Sequence, residues 1–164
     1  MEFTAIEKNP ATITILANTH GSIPDNVIEA LRGSDLIVHA GDIGGAGTLD
    51  ALRALGSVAA VRGNSDRQPP LSDLPEMIVI AAGEIRILVV HNHSRLAWPP
   101  EGIHVVVSGL WHQPSTNERD GVLVVSPGSA APGWAAAPVS IVRLTVGDHG
   151  VEPTVVRIDA SGGA

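Results

Sequence analysis

The stretch His39-Ala40-Gly41-Asp42-Ile43-Gly44-Gly45 decides how the rest of the chain is interpreted. It follows an apolar run at residues 36–38, which is typical of a short buried strand. Asp42 therefore lies where a strand ends and a glycine-rich turn begins. In open α/β sheets, ligands bind at this kind of position. A Gly-Asp pair also begins ordinary turns, so its meaning depends on what the other strand ends carry.

The residues around this stretch alternate between strand and helix patterns. Residues 12–17, 36–38 and 57–61 predict strands, and helices are predicted to begin at Pro24 and Gly47. This order of strand, helix, strand, helix, strand indicates two crossover units in a parallel sheet. The carboxyl ends of the three strands should then meet at one edge.

The second half of the chain predicts mostly strands, with a proline-rich loop at 68–75 before them. The predicted strands are 77–81, 84–90, 103–108, 122–125, 139–146 and 154–158. We expect this half to form a mixed sheet of its own. The predicted fold class is α/β, with two mixed β-sheets packed face to face and flanking helices.

The length and composition predict a single domain over residues 11–159, because 164 residues with 44% hydrophobic content can bury a core. Residues 1–10 predict a flexible N-terminal extension, and residues 160–164 predict a flexible tail. The chain shows no secretory signal and no apolar run long enough to cross a membrane. From these absences we expect a cytoplasmic protein with no membrane association.

The charge balance is acidic, with 17 acidic and 10 basic residues and a net charge of −7. Because the arginines form no basic stripe, binding of a nucleic-acid polymer is not expected. A small phosphate ester is compatible with this balance if a metal supplies the positive charge. The absence of cysteine excludes disulfides, thiolate metal sites and a cysteine nucleophile. The sequence leaves homo-oligomerisation open.

Several strand ends carry side chains of the kinds that bind metals. They are Asn18, His20, Asp42, Asn64, His91, His93 and His112. Imidazoles combined with carboxylate or amide oxygens, without sulfur, suit Mn²⁺, Fe²⁺, Zn²⁺ or Ni²⁺. A single histidine is more often structural, as we expect for His39, His104 and His149. The joint pattern predicts a site for divalent metal.

The order of the motifs resembles that of the calcineurin-like metallophosphoesterases, in particular their small bacterial and archaeal phosphodiesterases. The matching segments are Asn18-Thr19-His20, Gly41-Asp42, Gly63-Asn64-Ser65-Asp66, His91-Asn92-His93, Gly109-Leu110-Trp111-His112 and Ser126-Pro127-Gly128-Ser129. The resemblance extends from Thr12 to Val146. It implies the four-layer sandwich of that family and the hydrolysis of phosphodiesters.

The resemblance also implies roles for the matching residues. The first metal would take positions 18, 20, 42 and 112, and the second would take 42, 64, 91 and 110. Asp42 would bridge the two ions, and a hydroxide held between them would attack phosphorus. His93 would orient the phosphate or protonate the leaving group. Asp66 would hold a ligand or the Asn64 loop in place, although a turn-capping role explains it equally well.

Two positions depart from the family at the metal ligands themselves. Asn18 replaces an aspartate and carries no charge, and Leu110 replaces a histidine and cannot coordinate a metal. We therefore expect one or two ions per chain, with the site weakened or reduced to one ion held by residues 18, 20, 42 and 112. The short segment between His93 and Leu110 contains two prolines, which argue against the helix that the family has there.

Two functions follow from these departures. The favoured one is a metal-dependent phosphoesterase whose activity is reduced or even lost. The alternative is a catalytically degenerate member that binds a protein or ligand through its fold, as the retromer subunit of this fold does. Trp98, Trp111 and Trp134 bear on the choice, because an exposed tryptophan cluster would favour the binding module.

Overall fold

The structure is a computed structural model, which describes residues 1–133 and 137–159. In chain order its elements are β1 (Glu2–Ile6), β2 (Ala11–Leu16), α1 (Asp25–Leu31), β3 (Leu36–His39), α2 (Ala46–Arg53), β4 (Val58–Ala60), β5 (Met77–Ala82), β6 (Ile85–Val90), β7 (Val105–Ser108), β8 (Pro114–Arg119), β9 (Val122–Pro127), β10 (Val139–Gly147) and β11 (Gly150–Ile158). Single 3₁₀ turns occupy Leu71–Asp73 and His93–Arg95. Within the described residues, no helix is long and apolar enough to cross a membrane. The expected tail at 160–164 and Trp134 lie outside the described residues.

The first sheet has five strands in the order β11-β10-β2-β3-β4. Strands β2, β3 and β4 are parallel, and β10 pairs antiparallel with both β2 and β11. The two predicted crossover units are therefore confirmed. Because Leu16 is opposite His39 and His39 is opposite Ala60, the three parallel strands end at the same level of the sheet.

The second sheet has six strands in the order β1-β5-β6-β7-β9-β8. Strands β5 and β6 form an antiparallel hairpin, and β6, β7 and β9 run parallel. Val90 at the end of β6 is opposite Ser108 at the end of β7. The segments that begin at His91 and Gly109 therefore leave the sheet side by side.

The two sheets pack face to face through a core of aliphatic side chains. It includes Ile13, Ile15, Val38, Ile80, Ile87, Val107 and Leu144, all fully or almost fully buried. Helices α1 and α2 cover the outer face of the five-stranded sheet through Leu31 and Leu52. Burying a side chain of this size contributes about 1.5–3 kcal/mol. The predicted class of two mixed sheets with flanking helices is confirmed.

The outer face of the six-stranded sheet is covered without a full helix. The segment between β6 and β7 contains only the His93–Arg95 turn, and it places Leu96, Trp98 and Ile103 against this face. The prediction that no full helix forms here is therefore confirmed. Both helices lie on the other side of the molecule.

Residues 1–10 do not form the flexible extension that the sequence predicted, because Glu2–Ile6 form an edge strand. This strand pairs in parallel with β5, with Glu2 opposite Ile78 and Ile6 opposite Ala82. Thr4 and Ile6 are half-buried, whereas Phe3 is 63% exposed. A sheet edge tolerates such a polar strand, since its backbone hydrogen bonds to a single neighbour.

The second half of the chain does not form a sheet of its own. Its last two strands, β10 and β11, join the first sheet, because β10 pairs with the edge of β2 that β3 leaves open. Strand β1 joins the second sheet in exchange. Strand β8, which the sequence did not predict, is a polar edge strand paired with β9.

Candidate metal centre

The loops that follow strands of both sheets meet at one edge and hydrogen-bond to one another. The Asn18 N–H donates to the Gly41 carbonyl at 3.0 Å, and the His20 N–H donates to the Asp42 carbonyl at 3.1 Å. The Asn18 side-chain amide donates to the Gly109 carbonyl of the other sheet at 2.8 Å. The candidate residues of β2, β3 and β7 are thus tied together through their backbones.

The backbone is strained at three of the candidate ligands. In the described part of the chain, four non-glycine residues have a positive φ, and three of them are Asn18 (58°), His20 (47°) and Asp42 (58°). The left-handed conformation is uncommon for a non-glycine residue, and it persists where the surrounding structure enforces it. The loops therefore hold these side chains in directions that an ordinary turn would not give.

The Asp42 carboxylate is held by Ser65 and faces His91. The Ser65 N–H and hydroxyl both donate to Oδ1 at 2.9 Å, and Oδ2 lies 3.5 Å from His91 Nε2. Burial raises the pKa of Asp42, but the Ser65 hydrogen bonds and the nearby His91 and His20 outweigh burial and lower the pKa below its ordinary value. Asp42 is therefore an anion at neutral pH. Because two donors saturate Oδ1, Oδ2 is the oxygen left for a ligand.

His91 is oriented so that its Nε2 can act as a metal ligand. Its Nδ1 lies 2.8 Å from the Ala40 carbonyl, and because a carbonyl only accepts, Nδ1 carries the hydrogen. In the neutral form of the ring, Nε2 then has a lone pair, and it faces Asp42 Oδ2 at 3.5 Å. Two ligands on one tetrahedral ion with bonds of about 2.1 Å are separated by about 3.4 Å. The spacing of Nε2 and Oδ2 therefore suits a shared cation.

Asn18 contributes a buried oxygen to the same edge. Its side chain is fully buried, and its Nδ2 donates to the Gly109 and Gly128 carbonyls at 2.8 and 3.1 Å. Its Oδ1 has no hydrogen-bond partner among the described residues. A buried oxygen without a partner is costly unless something binds it. A cation at this edge would satisfy it, so the residues present fit a divalent metal.

His20 and His112 lie beside each other near Asp42. Their rings stack with centroids 6.1 Å apart and planes 13° from parallel. Burial and the neighbouring His20 lower the pKa of His112, while Asp42 acts in the opposite direction. His112 is therefore neutral at pH 7, the protonation state in which an imidazole binds metal.

Asp66 joins the loop of Asp42 to the loop of Asn64. Its buried carboxylate accepts hydrogen bonds from the N–H groups of Ile43, Gly44 and Gly63 at 3.0, 3.0 and 2.8 Å. Glycine at position 63 lets the two loops pack closely, because a Cβ there would collide with Asp42 N and Oδ1. Asp66 thus positions Asp42 through the backbone.

His39 lies beneath the centre as a structural residue, in agreement with its expected role. It is fully buried between Thr19 and the Asp42 loop, with Nε2 2.9 Å from the Thr19 hydroxyl. The Gly41 N–H donates to Nδ1 at 3.2 Å. The Thr19 hydroxyl in turn donates to the Ile43 carbonyl at 2.8 Å. The ring thus connects the loop after β2 to the loop after β3.

The remaining candidates lie at the rim of the centre. Asn64 lines a small cavity together with His91. His93 begins the 3₁₀ turn after β6 and packs edge-on against Trp111, with ring centroids 4.6 Å apart. Burial and the Arg119 charge lower the pKa of His93, so it is neutral at pH 7. Leu110 is half-buried and offers no donor.

The two described tryptophans are in different environments. Trp98 is half-buried, donates from its indole N–H to Asp120 at 2.9 Å and carries the Arg119 guanidinium over its ring. Trp111 is 47% exposed beside His112. Trp98 therefore serves packing, whereas Trp111 is open to a ligand.

The candidate metal ligands lie close together but do not form a complete coordination site. Within residues 1–133 and 137–159, no group of three or more His, Asp or Glu side chains is arranged to hold a metal ion. Asp42 and His91 form a suitably spaced pair, and the Asn18 oxygen supplies a third donor of a different kind. Sequence reasoning missed Ser65, which fixes Asp42. Its position inside the Gly63-Asn64-Ser65-Asp66 motif was the available signal.

Comparison with known proteins agrees with this architecture. Residues 12–149 match the calcineurin-like phosphoesterase superfamily domain. A probable metallophosphoesterase of Methanocaldococcus jannaschii is 30% identical, over 90% of this chain and 81% of its own. An archaeal phosphodiesterase structure matches with a TM-score of 0.73 and 22% identity, over 88% of this chain and 99% of its own. Vps29 of Entamoeba histolytica in complex with Zn²⁺ matches with a TM-score of 0.66 and 22% identity, over 89% and 98% of the two chains. The chain therefore belongs to the calcineurin-like phosphoesterase superfamily.

Proposed function

We propose that this protein is a metal-dependent phosphoesterase that hydrolyses small phosphodiesters at the Asp42 centre. The observation that carries the proposal is the Asp42 carboxylate, whose Oδ1 is fixed by Ser65 and whose Oδ2 lies 3.5 Å from His91 Nε2. The buried oxygen of Asn18 supports the same position. Family membership supports the reaction class.

The residues that would hold the cation are Asp42, His91, Asn18, His20 and His112. When bound, a divalent cation polarises the phosphoryl group and activates a water for attack. We infer a single ion, because Leu110 offers no donor to a second one. Mn²⁺ and Ni²⁺ suit this mixture of imidazole and oxygen ligands.

The other residues of the centre would bind and orient the ester. His93 is neutral at pH 7, so its ring N–H can donate a hydrogen bond to a phosphoryl oxygen or pass a proton to the leaving oxygen. Trp111 packs against His93 and exposes nearly half of its surface, which suits contact with an apolar leaving group. Ser65 and Asp66 keep Asp42 in place.

Metal content and hydrolysis test the proposal together. The purified protein, loaded with Mn²⁺ or Ni²⁺, should hydrolyse bis(4-nitrophenyl) phosphate and retain about one ion per chain. Asp42→Ala should abolish both, whereas Asp50→Ala, a change at an exposed carboxylate of α2, should alter neither. Hydrolysis that persists unchanged in Asp42→Ala contradicts the proposal.

A binding module is the second candidate. It is favoured by the absence of a closed three-ligand group in the described chain and by the exposed Trp111. The same experiment distinguishes the phosphoesterase from the binding module. No turnover above the Asp42→Ala background with either metal, and no retained metal, supports the module.

A further inference from the structure

A small cavity beside the metal centre carries positive charge. It has a volume of about 110 Å³, and its walls include Arg62, Asn64, Glu76, His91 and Arg95. Asn64 and His91 are candidate residues of the centre, so the cavity opens next to the place where the ester would react. We call it the Arg62–Arg95 pocket.

The charge of this pocket contrasts with that of the molecule. The whole chain has 10 basic and 17 acidic residues, yet the pocket has two arginines and a single acid, Glu76. The hydrogen bond from Arg62, together with the charges of Arg62 and Arg95, lowers the pKa of Glu76. The three side chains therefore interact, and their formal charges sum to a net positive pocket wall.

The two arginines are held differently. The Arg62 guanidinium donates to the Ser72 carbonyl and to Glu76, each at 2.7 Å, so its direction is fixed. Arg95 ends the 3₁₀ turn that follows β6, and none of the described residues hydrogen-bonds to its guanidinium. The Asn92 side chain accepts from Ser94 N–H at 3.0 Å and fixes the start of this turn. Arg95 is therefore an exposed cation on a fixed backbone turn, and its guanidinium has no acceptor among the described residues.

We propose that the Arg62–Arg95 pocket binds a tetrahedral oxyanion, namely a second phosphate group of the substrate beside the phosphoryl group that reacts at the Asp42 centre. This inference rests on the proposed function and adds a contact that does not depend on metal. The pocket has room for only a few water molecules, each of which occupies about 30 Å³ in the liquid. It therefore suits one phosphate group rather than a large ligand. A guanidinium presents paired N–H donors that match two phosphate oxygens. Arg95 supplies this fork, and Arg62 supports it through charge.

Binding of inorganic phosphate measures the pocket directly. Calorimetric titration of the full chain, with chelator and again with Mn²⁺, should show phosphate binding that weakens with added salt. Arg95→Gln should weaken it about tenfold, since a charge-assisted bidentate contact is lost. Glu76→Gln should tighten it, because the acid that opposes the anion is removed. Arg95→Lys should recover part of the affinity through charge alone.

Arg53→Gln is the matched control, because it removes one exposed arginine of α2 that does not line the pocket. It should leave phosphate binding unchanged. Equal phosphate affinity in wild type and Arg95→Gln, under both metal conditions, overturns the inference. So does a lack of phosphate binding by the wild type.

The inference and the proposed function fail in different ways. If metal-dependent hydrolysis is found but Arg95→Gln binds phosphate as the wild type does, the pocket inference fails and the function stands. If no metal supports hydrolysis but phosphate binding depends on Arg95, the function fails and the pocket stands. For an active enzyme, Arg95→Gln should raise KM about tenfold for a diester that carries a second phosphate group, with a smaller change in kcat, and should leave KM for bis(4-nitrophenyl) phosphate unchanged.

Discussion

Acidification is expected to destabilise this protein through one buried histidine, His39. Its Nδ1 accepts from the Gly41 N–H, so Nε2 carries the hydrogen and donates to the Thr19 hydroxyl. Both nitrogens are thus satisfied in the neutral ring. Protonation of Nδ1 would break the bond from Gly41 and bury a charge. Burial accordingly lowers the pKa of His39 from 6.5 to about 3.

The sign and size of the effect follow from this shift. Below pH 6.5 the unfolded chain binds a proton at His39 that the folded chain does not bind until about pH 3. The stability contributed by His39 is therefore complete above pH 6.5 and is lost as the pH falls towards 3. Each pH unit in this window costs about 1.4 kcal/mol, so a change from pH 7 to pH 5 costs about 2 kcal/mol.

Urea unfolding at pH 7, 6 and 5 measures this cost in wild type and in His39→Asn. Asparagine keeps an acceptor near the position of Nδ1 and does not titrate, so the other titrating groups cancel in the comparison. The wild type should lose about 2 kcal/mol more than the variant between pH 7 and pH 5. Parallel pH dependences for the two proteins would refute the assignment of a neutral, buried His39.

Further substitutions test the two supports of Asp42, Asp66 and Gly63, and the role of Trp111 in substrate contact. Asp66→Ala removes the acceptor of three backbone N–H groups, so urea unfolding should show that the protein loses about 3 kcal/mol of stability. Metal titration should show an affinity that is about 10–100-fold lower. An unchanged metal affinity would contradict the positioning role of Asp66. Gly63→Ala forces a Cβ against Asp42, so it should lower the free energy of unfolding by about 1–3 kcal/mol and weaken metal binding. Gly47→Ala is the control, because open space surrounds this position of α2, and it should raise the free energy of unfolding by up to about 1 kcal/mol. Trp111→Ala should change stability by less than about 0.5 kcal/mol and raise KM for an aryl diester, and an unaltered KM would exclude Trp111 from substrate contact.

The parallel core of the fold could be predicted because β2 and β3 are buried on both faces and β4 is a half-buried apolar run. Such strands are continuous apolar runs, and helix-forming segments separate them, so β2, β3 and β4 stand out from local sequence. The edge strands could not be recognised in the same way. Pro114–Arg119 contains no apolar alternation, and it forms a strand because β9 offers it a free edge.

Local sequence also could not predict which of the two sheets a strand joins. The β10–β11 hairpin could have extended either sheet, and its own residues pair equally well with any exposed antiparallel edge. Pairing of Val142 with Ile15 places it on the first sheet, a contact between residues more than a hundred positions apart. Edges of this kind are assigned by tertiary packing rather than by propensity.

The candidate centre was predictable in its members but not in its supports. Side chains at strand ends converge because the sheets bring strand ends together, so His20, Asp42 and His91 could be grouped from sequence order. Whether Ser65 or another donor would hold Asp42 depends on how two loops pack. The Arg62–Arg95 pocket likewise depends on a turn after β6 lying beside a loop after β4.

The two departures from the family pattern act differently on the centre, because Asn18 stands where an aspartate would carry a negative charge, whereas Leu110 stands where a histidine would be a neutral donor. Among residues 1–133 and 137–159, Asp42 is the one carboxylate that faces a candidate ligand, because the Asp66 carboxylate accepts hydrogen bonds from backbone N–H groups instead. On the proposed function, a divalent cation bound to one carboxylate and neutral donors would leave the centre with net positive charge. Such a centre would hold its metal less tightly than one with two carboxylates, but it would attract an anionic ester more strongly. The arginines beside it would act in the same direction, so under the two proposals above this chain's departures would favour binding of the anion over retention of the metal.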